Sequence, residues 1–268
     1  MTGASRGVGK GIALGLGEAG AIVYVTGRSA QEHPDTIQAG TVEATARAVT
    51  EAGGEGIPVV CDHTDDDAVA TLFEQIRRDH SYLNVLVNNV WGGYERMFDE
   101  GVYTWELPFW QQPMWRCDAM FAAGVRAQYA ASRLAAPMMI ARKQGLIVNL
   151  SYWAAQKYMA NVAYGVAKAA TDRMTRDMAH ELEPHNVAVV SLYPGLVRTE
   201  KVMAIAEYLD LSNSESPVFI GRAVAALAAD DAVMQKTGQV LVAASLAWEY
   251  GFVDVDGKQP RSLSLEDA

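Results

Sequence analysis

The sequence predicts an α/β fold: a doubly wound, parallel, Rossmann-like sheet with helices on both faces, three layers in all. Three observations predict it. Short runs rich in Val, Ile and Leu alternate with amphipathic helical stretches, and that alternation builds parallel sheets. A glycine-rich turn, Thr2-Gly-Ala-Ser-Arg-Gly-Val-Gly9, opens the first helix and makes an anion cradle of its N-terminus. Tyr164-Gly-Val-Ala-Lys168 lies on a helix that follows an apolar strand. Its phenol and amine then share one helix face, one turn apart.

The elements follow in order. Val8, Ile12 and Leu16 form an apolar stripe, which predicts a helix over about 7–20. Ala21 to Val25 reads as a buried strand. A strand should also lead into the glycine turn, but only Met1 precedes Thr2. The first, central strand is therefore missing from the N-terminus. The sequence is expected to be truncated there, or read from a start codon placed too late. Residues 30–40 form a polar loop. Thr41 to Ala52 is helical, Gly56 to Cys61 a strand, and Asp65 to Asp79 a helix. Leu83 to Asn89 is a further strand. Residues 90–116 carry four of the six tryptophans and keep no clean period. They form either the wall of an apolar pocket or a minor hydrophobic cluster or subunit contact. Pro113 to Arg142 reads as one long helix and Gly145 to Leu150 as a strand. The Tyr164 helix runs to about Glu183, and Val187 to Tyr193 is a strand. Residues 200–216 form a mobile loop, Val218 to Ala229 a helix and Gln239 to Ala243 a last strand. The tail from Ser245 is mostly irregular. With no repeat and no composition break, residues 1–268 read as one domain.

Composition narrows the function. The net charge of −10 and the pI near 5 leave no basic surplus for nucleic acid or an anionic membrane. No apolar run reaches membrane-spanning length. Cys61 and Cys117 lack metal or redox spacing and read as free thiols, which fits a reducing cytoplasm. His33, His63 and His80 have no metal-ligand spacing and read as surface residues, so no metal is expected.

The chemistry concentrates near Tyr164. A free tyrosine has a pKa near 10, so about one in a thousand is ionised at neutral pH. Acid–base work asks for a drop of roughly 3 units, or about 4 kcal/mol. An ammonium about 4–5 Å away, at an effective dielectric of about 20, supplies roughly 3–4 kcal/mol. Lys168 is placed to do this. Ser151 stands 13 residues before Tyr164, at the end of a strand. Near the second strand, Gly27 leaves no carboxylate for a ribose 2′-OH, and Arg28 follows. Arg6 in the glycine turn adds a second guanidinium. Two arginines without an acid favour NADP(H) over NAD(H). Asp62 ends a strand, where it either accepts from an adenine amino group or caps a helix.

Together, TGASRGVG, Asn88-Asn89, Ser151, Tyr164-x-x-x-Lys168 and Pro194-Gly195-x-Val197-x-Thr199 resemble the short-chain dehydrogenase/reductase family, in its order and at its spacing. VYVTGR, YGVAKAA, AHEL and YGFVDVDG resemble its dehydrogenase/reductase member-one-like subgroup. The resemblance implies roles. Tyr164 would be the acid/base, Lys168 would lower its pKa and bind the nicotinamide ribose, and Ser151 would hold the substrate oxygen. Gly3, Ser5, Arg6, Gly7, Val8 and Gly9 would wrap the pyrophosphate and adenosine side, with Arg28 nearby. Asp62 and Asn89 would touch adenine and its ribose. Pro194, Gly195, Val197 and Thr199 would hold the carboxamide end.

Two departures stand out. The family's Asn-Asn-Ala-Gly is here Asn88-Asn89-Val90-Trp91, and its helix asparagine falls at Gly124, 13 residues before Pro137. The serine is also ambiguous: counting back from Tyr164 selects Ser151, whereas counting forward from Gly145 selects Tyr152.

The expected function is NADP-dependent transfer of a hydride to or from an apolar carbonyl or alcohol substrate. The alternative is a non-catalytic NADP-binding or scaffold protein. A Ser151 hydrolase lacks a glycine-flanked nucleophile elbow. A homodimer or homotetramer is expected, through helices near 114–142 and 155–183.

Overall fold

The computed structural model describes residues 1–30, 40–99 and 102–267. Six parallel strands carry the fold: β1 (Ile22–Gly27), β2 (Glu55–Val60), β3 (Val85–Asn88), β6 (Gly145–Leu150), β7 (Val187–Tyr193) and β8 (Val240–Val242). Between β3 and β6 lies a small antiparallel hairpin, β4 (Phe98–Asp99) with β5 (Val102–Tyr103). It belongs to the stretch where the sequence shows no period. Strands β3, β6, β7 and β8 form one sheet in that order, and β1 with β2 forms another. Every residue of β6 and β7 is buried, as parallel strands covered on both faces must be.

Met1 and Thr2 join the two sheets. The Thr2 amide donates to the Val87 carbonyl at 3.0 Å, and the Thr26 amide donates to the Met1 carbonyl at 3.1 Å. Behind this junction lies a cavity of about 450 Å³, lined by Tyr24, Phe73, Ile76, Leu86 and Ala225 among others. Among the described residues β1 and β3 do not pair with each other.

Helices cover both faces. On one side α1 (Gly7–Glu18), α2 (Val42–Glu51), α8 (Pro217–Ala229) and α9 (Ala243–Tyr250) pack over Val25, Val148, Val190 and Leu192. On the other, α3 (Asp66–His80), α5 (Ala127–Arg142) and α6 (Val162–Leu182) pack over Leu86, Ile147 and Val189. Caps set several boundaries. Thr41, Asp65 and Asn161 each accept a backbone N–H with their side-chain oxygen, satisfying helix-start donors. The long helix expected over 113–142 is three pieces: α4 (Met114–Ala119), a π-helical segment (Met120–Arg126) and α5. Within 200–216 a short helix α7 (Glu200–Met203) forms. Helix α9 runs into the start of the mostly irregular tail, with Ala243, Ala244, Leu246 and Ala247 burying one face.

His63 corrects the surface reading. It is 1% exposed, and its ring nitrogen lies 2.7 Å from Thr26 Oγ1. His80 is half-buried with its ring edge-on to Tyr24. His33 and most of the polar loop over 30–40 lie outside the described residues. Burial, then the nearby amino group of Met1, pushes the His63 imidazole down to about 4. Above pH 6.5 the ring is neutral whether the chain is folded or not, and stability is unaffected. Below that only the unfolded chain takes up the proton, so stability falls until about pH 4. The difference approaches about 3 kcal/mol. Chemical denaturation of the protein and of His63→Gln, compared from pH 7.5 to 4.5, should show the wild type losing stability faster. Parallel curves would contradict the assignment.

Candidate active site

The glycine turn is built for close approach. Gly3 and Gly7 have φ of +63° and +56°, where other residues are strained. A Cβ on Gly9 would sit 2.1 Å from the Gly3 carbonyl oxygen and 2.5 Å from the Asn89 amide nitrogen. The Asn89 side chain donates to the Thr2 and Gly3 carbonyls at 3.1 and 2.9 Å. It anchors the turn to the end of β3. Ser5 is buried below and Val8 is half-buried in α1. A carboxylate already lies at the helix N-terminus: Glu200 accepts from the Gly7 amide at 3.0 Å. The cradle therefore fits an anionic pyrophosphate by a direct observation. Arg6 donates to Ser29 Oγ at 2.7 Å, and Arg6 and Arg28 are close enough to depress the Arg6 pKa, after burial. Arg28 is exposed, 3.8 Å from Glu95. Asp62 accepts from the Thr64 amide and hydroxyl at 2.9 and 2.7 Å, whereas α3 is capped by Asp65. Burial raises the Asp62 pKa, but the Thr64 bonds and the Arg28 charge bring it below the usual range.

Tyr164 sits in the first turn of α6. Its amide donates to Asn161 Oδ1 at 3.0 Å. The preceding Ala160 has φ of +59°, a left-handed conformation costing roughly 1–2 kcal/mol. The Asn161 amide also donates to the Trp105 carbonyl at 3.2 Å, tying the aromatic stretch to the start of the helix. The Tyr164 ring is boxed by Trp105 at 5.4 Å, Trp91 at 5.6 Å, Tyr94 at 6.3 Å and Tyr152 at 6.5 Å between centroids. Trp91, Tyr94 and Trp105 thus pack with Tyr164 in one hydrophobic cluster. Phe109 and Trp110 remain exposed. Arg116 fixes this stretch. It is fully buried and donates to the carbonyls of Thr104 and Arg96, each at 2.8 Å, and to Thr104 Oγ1 at 2.7 Å.

Lys168 is buried. Its Nζ donates to the Leu150 carbonyl at 3.1 Å and stands 4.0 Å from the Trp91 ring centroid. Nζ is 5.8 Å from the Tyr164 ring centroid. The expected lowering of the Tyr164 pKa is not produced here. Burial, then the neighbouring Tyr94, raise it well above the ordinary value. Burial brings Lys168 down to about 7, against the pull of Asp172. The dry surroundings penalise both ions, and that outweighs their attraction.

Ser151 and Tyr152 part company. Ser151 is buried and its hydroxyl donates to the Lys168 carbonyl at 3.3 Å. Tyr152 is the neighbour that faces Tyr164. Pro194 and Gly195 follow β7, and the Gly195 amide donates to Glu215 Oε2 at 2.7 Å. Val197 bridges to Glu215 and Thr199 caps α7. Glu215 was not singled out by sequence, being one acid in a polar-ended loop. Burial, then Asp254, push its carboxyl up to about 7. Also unforeseen is a polar chain through the core. Asn88 donates to Asn149 at 2.8 Å, and Asn149 to Thr175 at 2.9 Å. Thr175 lies 2.9 Å from Ser191 Oγ. Asn88, Asn149 and Ser191 occupy paired register positions on β3, β6 and β7. The chain locks the strand ends that carry the site. Among the described residues no group of three or more His, Cys, Asp or Glu gathers to hold a metal, and no helix is long and apolar enough to cross a membrane.

A glycine cradle at the carboxyl edge of a parallel sheet, facing a buried Tyr–Lys helix pair, defines a nucleotide-dependent oxidoreductase site. The short chain dehydrogenase family profile matches residues 1–209, and the chain belongs to that family. It is 41% identical over 275 residues to "Dehydrogenase/reductase SDR family member 1" of Mus musculus, covering 96% of this chain and 83% of the relative. Its fold matches a metagenomic short-chain oxidoreductase solved in complex with NADP. The TM-score is 0.68 at 30% identity, over 90% of this chain and 93% of the other. It also matches a 7α-hydroxysteroid dehydrogenase complexed with NADH, at TM-score 0.73 and 24% identity, over 96% and 92% of the two chains. The second likeness is one of fold.

The family binds a nicotinamide cofactor, and Glu200 occupies the amide that its pyrophosphate would use. Glu200→Gln removes a competing negative charge and should tighten cofactor binding about two- to fivefold by calorimetric titration. Unchanged or weaker binding would show that Glu200 does not compete.

Proposed function

We propose that the chain is an NADP(H)-dependent oxidoreductase acting on the carbonyl or alcohol group of a fairly apolar small molecule. One observation carries the reading: a buried Tyr164 with Lys168 one turn on, between an anion-binding glycine turn and an aromatic wall. NADP(H), when bound, supplies or accepts the hydride. Arg6 in the glycine turn and Arg28 just after β1 support a 2′-phosphate, because no carboxylate stands at Gly27. Gly3, Ser5, Gly7, Val8 and Gly9 form the cradle, and Asn89 braces it. Asp62 sits on the adenine side. Pro194, Gly195, Val197 and Thr199 shape the carboxamide side, with Glu215 bracing the Gly195 amide.

Tyr164 gives its proton to the substrate oxygen during reduction and takes it back in oxidation. Burial keeps the phenol protonated at neutral pH, the form a proton donor needs. Lys168 restores charge balance beside it and reaches toward the ribose. Tyr152, not Ser151, is the better second donor to the substrate oxygen, because the Ser151 hydroxyl is committed to the Lys168 carbonyl. Trp91, Tyr94 and Trp105 favour an apolar substrate body. One catalytic domain, with loops 90–116 and 200–216 around the substrate, suits this reading. So do a homodimer or homotetramer and a cytoplasmic location.

The raised Tyr164 pKa and the averted Ser151 favour one rival reading, an NADP-binding protein without turnover. NADPH consumption over a panel of ketones and aldehydes separates the two. Turnover is expected, and Tyr164→Phe should lower it by about 10²–10⁴-fold. Tyr152→Phe should cost more than Ser151→Ala. Full activity in Tyr164→Phe would refute the assignment, and binding without turnover across the panel would favour the rival.

A further inference from the structure

Trp91 and Gly124 are far apart in sequence and interlock in space. A Cβ on Gly124 would lie 2.3 Å from Cζ3 and 2.5 Å from Cε3 of the Trp91 indole. Only glycine leaves room for the ring. Gly124 lies in the π-helical segment Met120–Arg126, an arrangement that recurs at functional sites. The same indole presents its face to Lys168, whose Nζ stands 4.0 Å from the ring centroid. Its edge meets Tyr164. The buried indole N–H of Trp91 finds no acceptor among the described residues, so shape and the π face, not a hydrogen bond, fix the ring.

We propose that Trp91 is the positioning residue for Lys168. Its indole fills the volume opened by Gly124, and its π face holds the ammonium against the Leu150 carbonyl. The proposal rests on the reading of Lys168 as the partner of Tyr164. The other charged or titratable groups around Lys168 are Tyr164 and Asp172 on its own helix. Tyr193 of β7 bonds to Asp172, and Tyr94 and Tyr152 lie across the Tyr164 ring. Of these, the Tyr164 ring also faces the ammonium, but at 5.8 Å to its centroid against 4.0 Å for the indole. A cation over a desolvated aromatic face is favoured electrostatically, and most strongly by Trp.

The test reads Lys168 directly, without turnover. Lysines labelled with ¹³C at Cε are titrated by NMR in Trp91→Phe and Trp91→Leu, with the Lys168 signal assigned by its loss in Lys168→Met. Leu leaves the larger void, and water entering it would raise the Lys168 midpoint, so a lower midpoint for Leu than for Phe reports the π face. The Leu variant is expected to titrate about 0.5–1 pH unit below the Phe variant. Equal midpoints, or a higher one for Leu, would overturn the proposal. In the second arm, Gly124→Ala should lower the melting temperature with Trp91 present and be tolerated with Trp91→Phe. Without the clash, alanine suits a helix better than glycine. Equal losses in both backgrounds would overturn the interlock. A protein that reduces no carbonyl yet shows the Phe–Leu difference keeps Trp91's role and sinks only the catalytic reading.

Discussion

Taking the Lys168 ammonium out of water dominates the energetics of the site. Removing an ion from water costs several kcal/mol even after relaxation, and Lys168 has only limited compensation. One carbonyl accepts from it, one indole faces it, and Asp172 lies a turn away. Much of the surrounding structure holds that compensation in place. The Asn88–Asn149–Thr175 chain fixes the ends of β3 and β6 against α6. Leu150, whose carbonyl receives Nζ, is the last residue of β6. The phenol of Tyr193, on the next strand, binds Asp172. A buried polar chain of this kind is strong only when its members are paired, so a loose strand end would unseat the amine.

The aromatic wall makes the site dry, and dryness acts in two directions. It strengthens every dipole aimed at the substrate, and it resists ionisation of Tyr164. Arg116 is the keystone of that wall. A guanidinium this buried is tolerated because carbonyls, a threonine hydroxyl and Gln112 accept its hydrogens. Asn161 then couples the wall to the helix that carries Tyr164, using one amide for the cap and the loop together. Glu200 and Glu215 accept from the backbone amides of Gly7 and Gly195 and so brace those two turns.

The fold was legible wherever burial is two-sided. β6 and β7 match their expected bounds because all-apolar runs leave no other placement. Residues 90–116 were not, since their hairpin and buried arginine depend on contacts across the loop and not on period. His63 reads as polar surface by its neighbours, yet the junction at Met1 covers it. The helix over 113–142 gave no sign of its π-helical turn beyond Gly124. Serine spacing pointed at Ser151, whose hydroxyl lies on the Lys168 carbonyl while Tyr152 packs beside the Tyr164 ring, a side-chain arrangement that spacing does not encode. The α9 helix escaped notice because its apolar face is only four residues, packed against the α1 and α8 layer.

If Tyr164 and Lys168 serve hydride chemistry, a label on the nicotinamide must reach the substrate. The direct measurement is mass spectrometry of the product formed from a ketone and NADPH deuterated at C4 of the transferred face. One deuterium on the new carbinol carbon is predicted, absent from Tyr164→Phe. Cofactor saturation with no deuterium in any product would contradict the central claim.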